Sequence, residues 1–156
     1  MKLSLLAVGN KMPGWVNEGY QEYAKRLPRE CKLSLQEITP AKRGKSGNAA
    51  QWMAEEGERI LTAVPSNHHV VSLDVKGKPW NTEQLAQQMQ QWLADGRDVS
   101  LLVGGPDGLS QACSQRADQA WSLSALTLPH PIVRIVIAEQ LYRAWTVLQN
   151  HPYHRA

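Results

Sequence analysis

Residues 101–110 read LLVGGPDGLS, an apolar run that ends in three glycines, and this pattern is typical of a ligand-binding turn. Gly104, Gly105 and Gly108 can adopt positive φ and allow a ligand to contact the main chain. Their spacing fits neither the dinucleotide pattern G-x-G-x-x-G nor the P-loop pattern, which needs a lysine after its last glycine. The segment therefore predicts a site lined by backbone and gives little support to a nucleoside triphosphate.

Positive charge is missing from this segment and from the apolar run that follows it. Residues 98–115 contain no Lys or Arg, and residues 119–133 contain no charged residue at all. A di- or triphosphate usually needs a cation, whereas an adenine with its ribose can be held by backbone groups and apolar walls. The missing charge favours a nucleoside-like or cationic ligand. The alternative is that GGPDG is a plain tight turn and LSALTL a buried strand.

Arg134 stands in the first turns of the last predicted helix, where a cation opposes the helix dipole at a cost of ~0.3–1 kcal/mol. This position predicts a partner, either a phosphate of a polymeric substrate or an acidic group across an interface. The alternative is an exposed arginine without a partner.

The C-terminal residues NHPYHRA combine side chains that could act on a nucleic acid. His154 could take a proton near neutral pH, Tyr153 could stack on a base, and Arg155 could contact a phosphate. The spacing His151-x-x-His154 is too short and too common to indicate a metal site. Terminal residues are also frequently disordered, so the tail alone is a weak signal.

Five short apolar runs rich in β-forming residues predict strands, and helical patterns lie between them. Strands that alternate with helices form mostly parallel sheets covered on both faces, so the predicted class is α/β. The third, fourth and fifth runs are nearly continuous in apolar residues and are predicted to be central strands. The runs are residues 2–9, 32–38, 69–75, 98–105 and 122–128.

Three helices are indicated by apolar residues at i, i+3 and i+4 spacing. The second is predicted to begin at the cap Thr82 and to end before Gly96, and the third follows Pro131. The stripes are Tyr20, Tyr23, Ala24 and Leu27; Leu85, Met89, Trp92 and Leu93; and Val133, Val136, Ile137, Leu141, Ala144, Trp145 and Leu148.

Ligands of open α/β sheets bind beyond the carboxyl ends of the strands. This rule selects the residues that follow 71–73, the glycine loop at 104–108, and residues 123–130. These three places form the predicted site.

The chain has 156 residues, of which 42% are hydrophobic, and a net charge of +3, as expected of one globular domain. No apolar run approaches the roughly 18 residues of a membrane span. The N-terminal segment is typical of a strand rather than of a signal peptide. These features predict a cytoplasmic protein.

Positive charge is concentrated in the first 48 residues, which hold nine Lys or Arg against four Asp or Glu. The cluster of Lys42, Arg43 and Lys45 is compatible with a phosphate-rich partner, although a solvated loop is the alternative. Cys31 and Cys113 lie outside any C-x-x-C pair and are predicted to be buried free thiols rather than metal ligands.

Taken in their order and spacing, several segments resemble the RlmH family, small SPOUT-class methyltransferases that modify N3 of a pseudouridine in 23S rRNA. The resemblance covers the whole chain. The segments are LLAVGNKMP, VVSLDVKGKPW, LLVGGPDGLS, SLSALTLPHPIVRIVIAEQLYRAW and NHPYHR.

The resemblance implies a single SPOUT domain over residues 1–156, a deep trefoil knot in its C-terminal part, and a homodimer that acts on 23S rRNA within the ribosome. It implies no metal and no membrane partner. It also implies that S-adenosylmethionine lies in the knot, and a sulfonium with an adenine suits backbone groups and apolar walls. By position, the contacts fall on Leu73, Gly104, Leu123, Ser124, Ala125, Leu126, Thr127 and Leu128.

The resemblance further implies that the tail completes the site together with the partner subunit, through Tyr153, His154 and Arg155. The hypothesis is that His154 accepts the N3 proton or orients the base, Tyr153 packs on the base, and Arg134 holds a phosphate. Two alternatives stay open. One is a SPOUT methyltransferase for another RNA position, such as a ribose hydroxyl in tRNA, and the other is a non-catalytic RNA-binding factor.

Overall fold

Five parallel strands form one sheet in the computed structural model, which describes residues 1–155. The strands are β1 (Leu3–Val8), β2 (Leu33–Ile38), β3 (His69–Lys78), β4 (Val99–Val103) and β5 (Gln119–Trp121). Their order across the sheet is β2-β1-β4-β3-β5, and every neighbouring pair is parallel. The predicted α/β class with a parallel sheet is confirmed.

Five α-helices cover the two faces of this sheet. They are α1 (Gly14–Ala24), α2 (Ala49–Ala63), α3 (Thr82–Asp95), α4 (Gln111–Arg116) and α5 (His130–Leu148). Leu5 and Leu101 pack on one face with α1, α3 and α5, whereas Leu6 and Leu102 pack on the other with α2 and α4. Alternate strand residues point to opposite faces, so β1 and β4 are buried on both sides.

The helix ends follow from local capping. Asn81, rather than the predicted Thr82, is the N-cap of α3, and its side chain accepts a hydrogen bond from Gln84 N–H at 2.8 Å. The Gln84 side chain accepts in return from Asn81 N–H, which completes a capping box. Gly96 ends α3 in the left-handed conformation with φ of 83°, as predicted.

The predicted strand at residues 122–128 is wrong. β5 ends at Trp121, and it lies at an edge of the sheet rather than at the centre. Ser122 Oγ donates to the Ser124 carbonyl oxygen at 3.2 Å, and Leu126 N–H donates to Ser124 Oγ at 2.9 Å. These local hydrogen bonds compete with strand pairing, so the segment takes an irregular path beyond the sheet.

Within residues 1–155, none of the helices combines the length and the apolar character that a membrane crossing requires. The same residues include no group of three His, Cys, Asp or Glu side chains placed to hold a metal ion. Cys31 and Cys113 are both free and buried, as predicted.

Candidate functional site

A cavity of about 840 Å³ opens beyond the carboxyl ends of β1, β3 and β4. The crevice rule applied to the sequence therefore selects the correct end of the sheet. Seven of the eight residues predicted to contact a ligand line this cavity, and Ala125 does not. The seven are Leu73, Gly104, Leu123, Ser124, Leu126, Thr127 and Leu128.

The glycine loop forms one wall of the cavity as a tight turn. Gly108 N–H donates to the Gly105 carbonyl oxygen at 3.0 Å, and Gly108 has a φ of 87°. A Cβ at Gly104 would lie 2.5 Å from the Gly108 carbonyl carbon and 2.7 Å from Leu109 N. Glycine is thus required at 108 by backbone conformation and at 104 by the close approach of two backbone segments.

Residues 123–128 form the opposite wall with an uncharged surface. The turn held by Ser124 Oγ exposes Leu126 at the mouth of the cavity, where 73% of its surface meets solvent. Leu123 packs against the apolar core and fixes the base of the segment. The irregular backbone therefore offers apolar side chains together with free main-chain groups.

A bulge in β3 brings charge to the cavity that the sequence pattern does not predict. Leu73 and Lys78 both pair with Trp121, so residues 74–77 are extra to the ladder and project from it. Asp74 and Lys76 line the cavity beside Leu73. The carboxylate of Asp74 accepts a hydrogen bond from Lys76 N–H at 2.9 Å, which stabilises the bulge.

Arg43 connects the basic segment to the glycine loop. It donates to Glu56 Oε2 and to Asp107 Oδ2, both at 2.8 Å, and Glu56 is only 2% exposed. Arg43 is therefore paired inside the chain and is not free for the phosphate-rich partner predicted for its cluster. Lys42 and Lys45 are exposed and stay candidates for that contact.

Arg134 is completely buried, so the alternative of an exposed arginine is wrong. Its Nη1 donates to Glu37 Oε2 at 2.8 Å, its Nη2 to the Gly9 carbonyl oxygen at 3.1 Å, and its Nε to His130 Nε2 at 3.2 Å. The predicted acidic partner exists, but it comes from the same chain. All three nitrogens are engaged, and this geometry does not support the predicted grip on a phosphate.

The tail lies outside the set of residues that line the cavity. His130 begins α5 and lines the cavity, whereas Tyr153 and His154 lie in a short 3₁₀ turn (Pro152–His154) beyond its last residue. Tyr153 packs back against Glu139, which is about 14 Å along the helix from His130. Within one chain, the structure therefore does not bring the tail to the predicted ligand site.

Tyr153 is held against the middle of α5 by aromatic and polar contacts. Its hydroxyl donates to Glu139 Oε1 at 3.1 Å, and its ring centroid lies 4.7 Å from that of Tyr142. His154 Nδ1 is buried and has no hydrogen-bond partner among the residues that the structure describes. The tail is thus docked in a defined place, and one buried ring nitrogen has no partner among the described residues.

Comparison with known proteins decides the family. The model of the family described as "Predicted SPOUT methyltransferase" matches residues 1–154. The chain belongs to the SPOUT methyltransferase family. Its sequence is 61% identical over 155 residues to "Ribosomal RNA large subunit methyltransferase H" of Methylococcus capsulatus, with 99% of this chain and 100% of the relative covered.

A second SPOUT relative from Hahella chejuensis carries the same name and is 59% identical over 155 residues, with 99% of each chain covered. Among solved structures, a methylase family protein from Neisseria gonorrhoeae has a similar fold, with a TM-score of 0.51 and 11% identity. That similarity covers 90% of this chain and 80% of the other. At this identity the likeness supports the fold alone.

Several cavity residues of this SPOUT chain are missed by the sequence prediction. They are Gly9, Asn10 and Met12, which follow β1. The crevice rule could have found them from the first strand, but the rule needs the strand order, which places β1 beside β4. His130 lies in the predicted range 123–130 and lines the cavity, but a single histidine beside two prolines has no characteristic spacing that would predict a role.

Proposed function

We propose that the chain transfers a methyl group from S-adenosylmethionine to N3 of a pseudouridine in 23S rRNA within the ribosome. The cavity beyond β1, β3 and β4, with its backbone turns and apolar walls, is the observation that carries the choice of donor. The two full-length relatives at about 60% identity support the choice of a large-subunit rRNA as the substrate.

The residues around the cavity fit this donor. Its volume lies in the range of roughly 300–1,000 Å³ that is usual for small-molecule sites. Leu73, Leu123 and Leu128 offer apolar surface for an adenine, and the carboxylate of Asp74 suits a ligand with a positive sulfonium. When bound, S-adenosylmethionine supplies an electrophilic methyl group. The chain then has to orient the acceptor and exclude water.

The acceptor nitrogen carries a proton that must leave before N3 can attack. His154 is the proposed group that accepts this proton or orients the base, and Tyr153 is proposed to pack against the base. The role of His154 rests on the chemistry of an imidazole, which can exchange a proton near neutral pH. Arg134 is left out of the proposal because its donors are engaged inside the chain.

The position of the tail supports a homodimer. Neither Tyr153 nor His154 lines the cavity of its own chain, and the Tyr153 hydroxyl is held at Glu139, about 14 Å along α5 from His130. We therefore propose that each site combines the cavity of one protomer with the tail of its partner. We also propose that the C-terminal part of the chain forms a deep trefoil knot.

Recognition of rRNA is assigned to exposed cations around the cavity. Lys42 and Lys45 lie on the segment that Arg43 ties to the glycine loop, so a phosphate contact there is close to the donor site. Arg155, which follows the tail residues, is the third proposed contact. Together these side chains would hold a folded RNA by its backbone.

Methyl transfer to ribosomes tests the proposal directly. Ribosomes from a strain that lacks the corresponding gene are incubated with the protein and S-adenosylmethionine labelled in its methyl group, and the 23S rRNA is digested for mass spectrometry. We expect the label on N3 of one pseudouridine. Label at a ribose or in tRNA identifies a SPOUT enzyme with another target, and no calorimetric binding of the donor at millimolar concentration identifies a non-catalytic RNA-binding factor.

A further inference from the structure

His130 joins two hydrogen bonds at the edge of the cavity. Its Nδ1 lies 3.2 Å from the Gly104 carbonyl oxygen, and its Nε2 lies 3.2 Å from Arg134 Nε. A carbonyl oxygen only accepts and a guanidinium only donates. The ring therefore carries its proton on Nδ1 and presents a lone pair at Nε2, which is one tautomer of the neutral imidazole.

Arg134 extends this contact to two more strands. It donates to the carbonyl oxygen of Gly9, just after β1, and to the carboxylate of Glu37 in β2. With His130 bound to Gly104 after β4, two side chains of α5 hold the carboxyl ends of three adjacent strands. Gly9 and Gly104 both line the cavity, so the network fixes the position of its walls.

We propose that His130 and Arg134 are positioning residues for the methyl-donor site, and that this site is competent only when His130 is neutral. The inference rests on the proposed function, because it takes the cavity to hold S-adenosylmethionine. Protonation of His130 puts a positive charge beside Arg134 and removes the lone pair that Arg134 Nε uses. The Nδ1–H bond to Gly104 is kept by the protonated ring, but repulsion from Arg134 would displace that ring and shift the glycine loop with it.

The surroundings of His130 favour the neutral ring. Burial, then the Arg134 charge, lower its pKa below 6.5, while the Gly104 carbonyl and the Glu37 carboxylate act in the opposite direction. On the far side of Arg134, burial raises the pKa of Tyr20 of α1, against a smaller opposing effect of Arg134, so that hydroxyl stays protonated. Arg134 and Glu37 are the charges that face His130.

The sign of the pH effect follows from this shift. The unfolded chain binds a proton at His130 near pH 6.5, and the folded chain does so only at lower pH. The stabilisation is therefore present above pH 6.5 and is lost as the pH falls toward the folded pKa. Below the folded pKa, the affinity for the donor should fall by up to about tenfold for each pH unit.

Calorimetry with S-adenosylmethionine between pH 5 and pH 8 tests the proposal. We expect the wild-type affinity to fall at the acidic end, and His130→Asn, whose amide can still donate to the Gly104 carbonyl, to bind with little dependence on pH. His68→Asn is the matched control, since His68 contacts Ser100 at the amino end of the sheet, and it should keep the wild-type profile. The same acidic fall in His130→Asn as in the wild type would overturn the proposal.

Nitrogen-15 NMR of the histidine rings in the ligand-free protein separates this inference from the proposed function. We expect the Nδ1–H tautomer of His130 and a titration midpoint below that of an ordinary histidine. If the ring shows both features but the protein binds no donor at any pH, the proposed function fails and the positioning network stands. If the donor binds but His130 titrates normally or as the other tautomer, the network is wrong.

Discussion

Arg134 Nη1 lies 2.8 Å from Glu37 Oε2, and the two residues are 97 positions apart in the sequence. The arginine is completely buried, while 40% of the Glu37 side chain is exposed. The ion pair therefore stands at the boundary between core and solvent. It joins the beginning of α5 to the edge strand β2, next to the cavity wall at Gly9.

Glu37→Gln should lower the free energy of unfolding by ~1–3 kcal/mol, because it leaves the buried Arg134 without its counter-charge. This change in the free energy of unfolding is smaller than the change for a fully buried ion pair, because solvent reaches Glu37. Urea denaturation measures the change. Glu18→Gln, an exposed glutamate on α1, is the control and should stay within ~0.5 kcal/mol of wild type. An equal effect of both substitutions would show that the pair does not stabilise the fold.

Gly104→Ala should weaken S-adenosylmethionine binding by roughly tenfold, about 1.4 kcal/mol. The new Cβ would lie 2.5 Å from the Gly108 carbonyl carbon, so the glycine loop must shift. Calorimetry gives the affinity. Gly44→Ala has no heavy atom within 4 Å of its Cβ and should bind as the wild type does. Unchanged binding by Gly104→Ala would place the donor elsewhere.

Lys42→Ala and Lys45→Ala should weaken binding to ribosomal RNA and reduce its salt dependence. Each lost phosphate contact lowers the slope of log affinity against log salt by about 1, as for other cation–phosphate contacts. Filter binding at several salt concentrations measures the slope. Lys2→Ala and Lys32→Ala, exposed lysines at the opposite end of the sheet, are the controls. Equal slopes for all four variants would exclude the segment around Arg43 as an RNA contact.

His154→Ala should reduce kcat by ~10²–10⁴-fold with little change in donor affinity, because the residue acts on the acceptor. Mixing this variant with Gly104→Ala tests whether the site is shared between protomers. At a donor concentration well below the wild-type Kd, where Gly104→Ala sites are about tenfold slower, a reassorted 1:1 mixture should recover about a quarter of the wild-type rate, since half of the dimers are mixed and each holds one complete site. No recovery would mean that the tail does not complete the partner's cavity.

Cys31 and Cys113 should not react with a thiol reagent in the native protein at pH 8. Burial, with a smaller effect of Glu30, raises the pKa of Cys31 to about 12, and burial also raises that of Cys113. Both thiols should react after unfolding in urea. Leu126→Cys places a thiol at a side chain that is 73% exposed and is the positive control. Rapid labelling of the wild type would show that the apolar packing around Cys31 or around Cys113 opens readily.

Local pattern was sufficient for much of the fold. Strand and helix periodicity predicts the α/β class, the positions of β1 to β4, and the ends of α3 to within one residue. Thr82 and Asn81 are both good capping residues, and only the position of Gln84 three residues after Asn81 selects the latter. The glycines, the absence of Lys and Arg at 98–115 and the absence of charge at 119–133 likewise predict the place and character of the cavity, because they describe short contiguous segments.

Tertiary structure decided what depends on residues distant in sequence. The run at 122–128 has the composition of a strand, but the sheet already ends at β5, and the Ser124 side chain satisfies backbone groups there. The sequence predicts a phosphate-rich partner for the cluster around Arg43, and for Arg134 a phosphate or an acidic group across an interface, whereas the fold places Glu56, Asp107 and Glu37 of the same chain beside them. Strand order and long-range ion pairs are set by how the elements pack together. They therefore cannot be predicted from the periodicity of a local segment.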